Sequence, residues 1–379
     1  MSFVESEERI ALRKAVSEFG AKYGQDYFLA KARAGEKTTE LWEEAGKLGY
    51  LGVAVPEEYG GGGGGIGDLA AVCEELAAAG CPLLLMVVSP AICATVIARF
   101  GTDEQKSKWL PGFADGTLKM AFAITEPDAG SNSHKLRTSV RRDGDDWILK
   151  GGKTYISGVD EVDAVLVVAI QKTGPVLVVL PTNAEGFTWQ EIEMDLSLPE
   201  KQFTLFFDDV RLPSDAVVGS PDQGLQQVFA GLNPERIMGA SMGTGSARLA
   251  IAKAVAYAQQ RTVWDTPIGA HQGLAHPLAK IHVEVELARL MTQKAAALYD
   301  SGRDKEAGEA ANMAKYAAGE AIAAAVDQAI QIHGGNGLSR EYGLASMLAS
   351  SRLSRIAPVS REMVLNFVAQ NSLKLPRSY

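Results

Sequence analysis

The chain has few cysteines, histidines and aromatic side chains, and no excess of positive charge. Its three cysteines (Cys73, Cys81, Cys93) are odd in number, fall in one stretch expected to be helical and lack metal spacing. They suggest packed thiols in a reducing compartment, most simply the cytoplasm. The five histidines (His134, His271, His276, His282, His333) show no ligand spacing, so no metal is expected. A formal net charge of −9 is the wrong balance for a nucleic-acid binder, whose partner is a phosphate backbone. The N-terminus lacks an apolar stretch behind a basic region, which argues against a signal peptide. The most apolar run, Leu83 to Ile97, is interrupted by Ser89-Pro90 and is too short for a bilayer; it predicts a buried helix.

What the chain does have is ordinary globular material. Hydrophobic residues make up 46% and charged residues 22% of 379 positions, enough for two or three domains. Residues 1–118 read as helical. Ser6–Tyr23 and Thr38–Leu48 carry apolar residues at helical spacing, and Thr102 to Gln105 has the capping-box pattern that opens another helix. Residues 119–222 switch to short β-rich runs at Thr138–Arg142, Trp147–Lys150, Lys153–Ser157, Ala164–Ile170, Val176–Leu180 and Phe203–Phe207. Turns are expected at Asp143-Gly144, Gly151-Gly152 and Thr173-Gly174. No helix of crossover length separates these runs, which predicts an antiparallel sheet rather than a parallel Rossmann one. From 223 to 379 helical patterning returns, with alanine-rich segments at 277–300 and 304–332 long enough for a bundle, and residues 375–379 form a short tail.

Two glycine-bearing segments invite a ligand reading. Gly60 to Gly65 matches a dinucleotide fingerprint only as a homopolymer does, and Pro56-Glu-Glu-Tyr59 stands where the fingerprint needs a strand; a surface loop is expected. The stretch Ala121-Phe-Ala-Ile-Thr125-Glu-Pro-Asp-Ala-Gly130-Ser131-Asn132 differs. A strand runs into a polar turn that exposes N–H groups and hydroxyls to a planar heteroaromatic ligand or a thioester.

This segment resembles the Thr-Glu-Pro-x-Ala-Gly-Ser-Asp signature of acyl-CoA dehydrogenases. Lys153-Thr-Tyr155-Ile156-Ser157-Gly158 is similar to that family's Lys-x-Trp-Ile-Thr-Asn. Arg261 to Gln272 is similar to its Arg-x-x-Phe-Gly-x-Pro-Ile…Gln, and Gln331-Ile-His-Gly-Gly335-Asn-Gly337 to its adenine- and pyrophosphate-side loop. The resemblance implies an α+β multidomain fold with an N-terminal helical domain, a central antiparallel β-domain and a C-terminal four-helix bundle. FAD is the implied cofactor. Phe122, Ile124, Thr125, Gly130 and Ser131 would line the flavin on one side, with Ser131 also near the pantetheine arm. Tyr155, in place of Trp, would pack against the ring beside Ile156, and Ser157 would keep the hydroxyl near flavin N5. Arg261, Gln272, Gln331, Gly334 and Gly335 would reach the FAD of a neighbouring subunit, which implies a dimer-of-dimers tetramer. Trp264-Asp265 departs from the family's Phe-Gly. Without the resemblance, Tyr155 and Ser157 read as ordinary strand residues and Arg261 as a cation at a helix end.

The family reaction removes an α-proton from an acyl-CoA and passes a β-hydrogen as hydride to flavin N5, giving a trans-2-enoyl-CoA. Its usual base lies in an Ile-x-Glu-Gly-Thr turn. Here Ile356-Ala-Pro358-Val359-Ser360 occupies that turn, with Pro358 at the glutamate position and Ser360 at the threonine position, on the flavin side. Isovaleryl- and long-chain-type relatives carry the glutamate on an earlier helix, before an arginine, and Asn233-Pro234-Glu235-Arg236 matches that arrangement. Glu235 is therefore the expected base, with Asn233 and Arg236 near the acyl-CoA. Read alone, Glu235 and Arg236 are a solvated helix pair. Pro358 also lacks the N–H that in the family helps hold the thioester oxygen, and Pro234 is expected to kink the helix or restart it with Asn233 as N-cap.

Three functions follow. The first is an active acyl-CoA dehydrogenase that hands electrons to an electron-transfer flavoprotein. The second, motivated by Pro358, is a non-catalytic FAD- or acyl-CoA-binding subunit of a heterotetramer with a homologous chain. The third is altered flavin chemistry on the same scaffold.

Overall fold

A computed structural model describes residues 5–377; the last two residues of the expected C-terminal tail lie outside that range. Helices form the first part of the chain: α1 (Glu7–Ala34), α2 (Thr39–Lys47), α3 (Ile66–Ala78), α4 (Leu84–Val88), α5 (Thr95–Phe100) and α6 (Asp103–Asp115). The α1 helix is longer than its apolar spacing suggested and kinks at Gly24, whose φ of 72° suits glycine. Thr102 and Gln105 cap α6 reciprocally, at 3.0 and 3.3 Å. The apolar run 83–97 is buried as expected, but between α4 and α5 it widens into a π-turn over Ser89–Ala94, where Pro90 removes a backbone donor. The three cysteines are buried free thiols, and they sit on three separate segments rather than one helix: α3, the loop after it, and the π-turn.

A seven-stranded sheet follows: β1 (Met120–Ala123), β2 (Ser139–Asp143), β3 (Asp146–Ser157), β4 (Ala164–Gln171), β5 (Gly174–Pro181), β6 (Phe187–Ile192) and β7 (Gln202–Leu212). Most pairings are antiparallel, but β1 runs parallel to β4, with Met120 opposite Ala164, and Ser139 of β2 also meets β4 in parallel. The β1–β4 connection contains the β2–β3 hairpin instead of a helix, so the parallel contact needs no Rossmann crossover. The turn expected at Gly151-Gly152 does not form. Gly151 (φ 137°) lies inside β3 at a register shift against β7, and a Cβ there would come within 2.7 Å of Thr138 Cα; the glycines allow a bulge and close strand approach.

Three long helices complete the fold: α7 (Gly224–Gln260), α8 (Gln272–Asp300) and α9 (Asp304–His333). The short hairpin β8 (Thr262–Val263) and β9 (Thr266–Pro267) joins α7 to α8. The fourth member of the expected bundle consists of two short helices, α10 (Leu348–Leu353) and α11 (Arg361–Phe367), which pack on α9. No described helix is long and apolar enough to cross a membrane. The six-glycine segment leads into α3, whose first N–H groups are taken by Asp300 at the end of α8 (2.8 Å from Ile66, 2.9 Å from Gly67). The end of that helix is closed internally and offers no phosphate cradle.

Candidate active site

The segments 121–132 and 153–158 are clamped together by a buried ion pair. Lys153, fully buried on β3, donates to the Glu126 carboxylate at 2.8 Å and to the Ile124 carbonyl at 2.9 Å. Glu126 also accepts from the Arg137 and Thr138 N–H groups at 2.7 and 2.9 Å. Burial works against its charge, but Lys153 and the two N–H groups outweigh that and hold the carboxyl below its ordinary range. The Thr154 N–H donates to the Thr125 carbonyl at 2.9 Å, which brings Tyr155 beside the Thr125–Ser131 turn. That turn closes on itself between Glu126 and Ala129 and leaves Gly130 and Ser131 exposed.

Phe122 and Ile156 are buried supports, and Ile124 is half-buried. Tyr155 is 59% exposed and held at φ 56°, a costly conformation for an aromatic residue, where the register of β3 shifts. Its ring faces outward. The Ser157 hydroxyl is engaged by the Gln202 amide, 2.9 Å from Nε2 and 3.1 Å from Oε1.

Glu235 lies within α7. It is half-buried and carries no ion pair among the described residues; burial pushes its carboxyl up to about 7, against the pull of Arg236 and Lys315. Its charge reaches Cys93, whose thiol lies 3.6 Å from the Ala121 carbonyl, so Glu235 and β1 face a common seam. One turn on, a Cβ at Gly239 would stand 3.7 Å from Pro358 Cδ, so the Pro358 turn also closes on this face of α7. Lys315 of α9, itself buried, donates to the Val359 carbonyl and anchors that turn. Ser360 caps α11, its hydroxyl accepting from the Met363 N–H at 3.3 Å.

Arg236 donates to the Leu232 carbonyl at 3.0 Å and to Asn233 Oδ1 at 3.4 Å, and its buried Nε has no hydrogen-bond partner among the described residues. Asn233 does not cap a restarted helix. The α7 helix runs unbroken through Pro234, and the Asn233 amide donates instead to the Asp304 carbonyl at 3.4 Å.

The remaining residues lie at the far end of the helical bundle. Arg261 ends α7, exposed and without an ion pair among the described residues, and Gln272 opens α8. Gln331, Gly334 and Gly335 are exposed at the end of α9. Tyr257, one turn before Arg261, stacks on His333 at 4.2 Å and accepts from Asn336 at 3.1 Å, which ties the two segments together. In the β8–β9 hairpin Trp264 and Asp265 both adopt positive φ (48° and 61°), so the Trp-Asp pair keeps a tight turn and presents the indole 86% exposed.

Three consecutive family matches cover most of the chain: "Acyl-CoA dehydrogenase, N-terminal domain" over residues 6–117, the middle domain over 121–210 and the C-terminal domain over 222–373. The chain belongs to the acyl-CoA dehydrogenase family. The acyl-CoA dehydrogenase FadE12 of Mycobacterium tuberculosis is 66% identical over 384 residues, spanning 100% of this chain and 99% of its own. Among solved structures, a glutaryl-coenzyme A dehydrogenase–glutaryl-CoA complex matches with a TM-score of 0.93 and 30% identity over 100% of this chain and 98% of that one. A glutaryl-CoA dehydrogenase from Mycobacterium smegmatis in complex with FADH2 matches at 0.91 and 28%, over 99% and 97%. The protein is thus an FAD-dependent oxidoreductase acting on acyl-CoA.

Its own residues fit that cofactor. Tyr155 offers an exposed aromatic ring, and Gly334 (φ 57°) and Gly335 have nothing among the described residues within 4 Å of where a Cβ would stand, leaving backbone open to a ligand. The structure also adds residues to which the sequence assigned no role: Glu126 and Lys153 as the clamp, Gln202 beside Ser157, and Lys315 beneath the Pro358 turn. The first pair sits inside the quoted motifs and was legible there; the last two show no local pattern.

Proposed function

We propose that this acyl-CoA dehydrogenase converts an acyl-CoA thioester to a trans-2-enoyl-CoA, with Glu235 abstracting the α-proton. The carrying observation is the Glu235 carboxyl itself. It is raised by burial to about 7, on a seam that leads to the Phe122–Ser131 segment. An ordinary carboxylate, near 4.3, is a feeble base for a carbon acid, and burial moves Glu235 toward the working pH. FAD, when bound, supplies the acceptor for the β-hydride.

The chain's part is to hold and orient. Thr125, Gly130, Ser131, Tyr155 and Ser157 serve the flavin end, and Ser131, Asn233 and Arg236 the acyl-CoA. Arg261, Gln272, Gln331, Gly334 and Gly335 serve the pyrophosphate and adenine end of a neighbouring chain's cofactor, within a homotetramer. Pro358 offers no N–H to the thioester oxygen, and Ser360 keeps its hydroxyl proton available while capping α11. An electron-transfer flavoprotein is the acceptor we assign, and the buried thiols suit the cytoplasm.

Pro358 favours one rival, a non-catalytic subunit of a heterotetramer. Anaerobic mixing of the purified FAD-loaded chain with a panel of acyl-CoAs, followed at the oxidised-flavin absorbance, separates the two. Prompt bleaching that vanishes in Glu235→Gln, with FAD retained, is the expected result. A tightly held flavin that no acyl-CoA bleaches would favour the rival.

A further inference from the structure

Pro234 immediately precedes Glu235 inside α7, a position that ordinarily breaks a helix. It has no N–H to give the Ala230 carbonyl four residues back, and its ring crowds that carbonyl. The helix nevertheless continues. Tyr299, buried near the end of α8, donates its hydroxyl to the Ala230 carbonyl at 3.0 Å. The Tyr299 hydroxyl oxygen in turn accepts from Arg99 Nη1 of α5 at 2.8 Å, and Asp304 holds Arg99 at 2.9 and 3.3 Å. A guanidinium can only donate, so the Tyr299 proton is left to point at Ala230. Burial raises the Tyr299 phenol, which keeps that proton in place. Asp304 serves twice, since its backbone carbonyl also receives the Asn233 amide.

We propose that the Arg99–Tyr299 pair replaces the backbone hydrogen bond that Pro234 removes, and so fixes the direction in which Glu235 projects. Tyr299 is then a positioning residue for proton abstraction. The inference rests on Glu235 being the base. Without the hydroxyl, the Ala230 carbonyl is buried and unpaired, and α7 is free to bend one residue before the base.

A double-mutant cycle on the FAD-loaded protein tests this, because Pro234→Ala returns the N–H that Tyr299 stands in for. The first readout is hydrogen exchange at the amides of residues 236–239. Tyr299→Phe should lower their protection on the order of tenfold when Pro234 is present, and hardly at all in the Pro234→Ala background. An equal loss in both backgrounds would make Tyr299 a mere core residue, and no loss in either would mean that α7 needs no support; each overturns the proposal.

The second readout is flavin bleaching by whichever of butyryl-, isovaleryl-, octanoyl- and palmitoyl-CoA reduces the parent protein fastest. Tyr299→Phe should slow it on the order of tenfold at unchanged acyl-CoA affinity, with Tyr299→Phe/Pro234→Ala matching Pro234→Ala. Coupled exchange without coupled rates refutes the positioning role. Full bleaching by Glu235→Gln would instead remove the base assignment, a separate failure that the exchange cycle does not share.

Discussion

Glu235 is under two opposing influences. Burial raises its carboxyl to about 7, while Arg236 and Lys315 pull it down. If Glu235 is the base, flavin reduction should therefore climb with pH through about 7 as its carboxyl ionises. Lys315→Met, which removes one of the cations, should move that inflection upward; stopped-flow reduction across a pH series would show it, and an unmoved inflection would mean that Lys315 only anchors the Val359 carbonyl. The other groups facing the pair are the Cys93 thiol, and Glu362 and Glu320 beside Lys315. The same shift bears on stability. The folded chain keeps the Glu235 proton to about 7 whereas the reference carboxyl loses it near 4.5, so stability falls as pH rises between those values. Glu235→Gln removes that loss and should stabilise the FAD-loaded protein above pH 7 by on the order of 2 kcal/mol in urea titrations. A destabilised variant would show that the carboxylate is better partnered than its surroundings suggest.

At the scale of elements, the clamp between the β1 turn and β3 concentrates the most risk. Lys153→Met leaves Glu126 buried without its cation and should cost about 3 kcal/mol or more in denaturant unfolding, with FAD released more readily as the Thr125–Ser131 turn loosens. Packing of α7 on α3 is equally intolerant. A Cβ at Gly245 would meet the Glu74 carbonyl at 2.2 Å, so Gly245→Ala should lower stability by roughly 2 kcal/mol, visible as a lower melting temperature. Helix positions were legible from apolar spacing and caps, as with Thr102 and Gln105, because those signals are local. The continuity of β3 through Gly151-Gly152 was not. Whether two glycines turn the chain or let strands approach depends on whether a neighbour such as Thr138 lies alongside.

For the whole molecule, Glu235 lies about a third of the way along the 37-residue α7, whereas Arg261 caps its far end. At about 1.5 Å per residue their backbones are tens of ångströms apart, which suits a cofactor shared between chains. If each FAD takes Glu235 from one subunit and Arg261 from another, Glu235→Gln and Arg261→Ala chains should each be inactive alone. Reassembled together, they should recover roughly a quarter of the activity, since random pairing restores that share of sites. Absence of recovery in proven mixed oligomers would place both residues on one chain's cofactor.

The order of helices, sheet and bundle is written in local periodicity, and the candidate ligand segments in short motifs, because both are set by residues adjacent along the chain. Burial of Glu235 and its rise to about 7 belong to the packing of distant segments. So does the survival of α7 across Pro234, where a hydroxyl from position 299 supplies the donor that proline withholds. Desolvation and hydrogen bonding depend on distance in space, and Tyr299 lies 69 residues along the sequence from the carbonyl it serves.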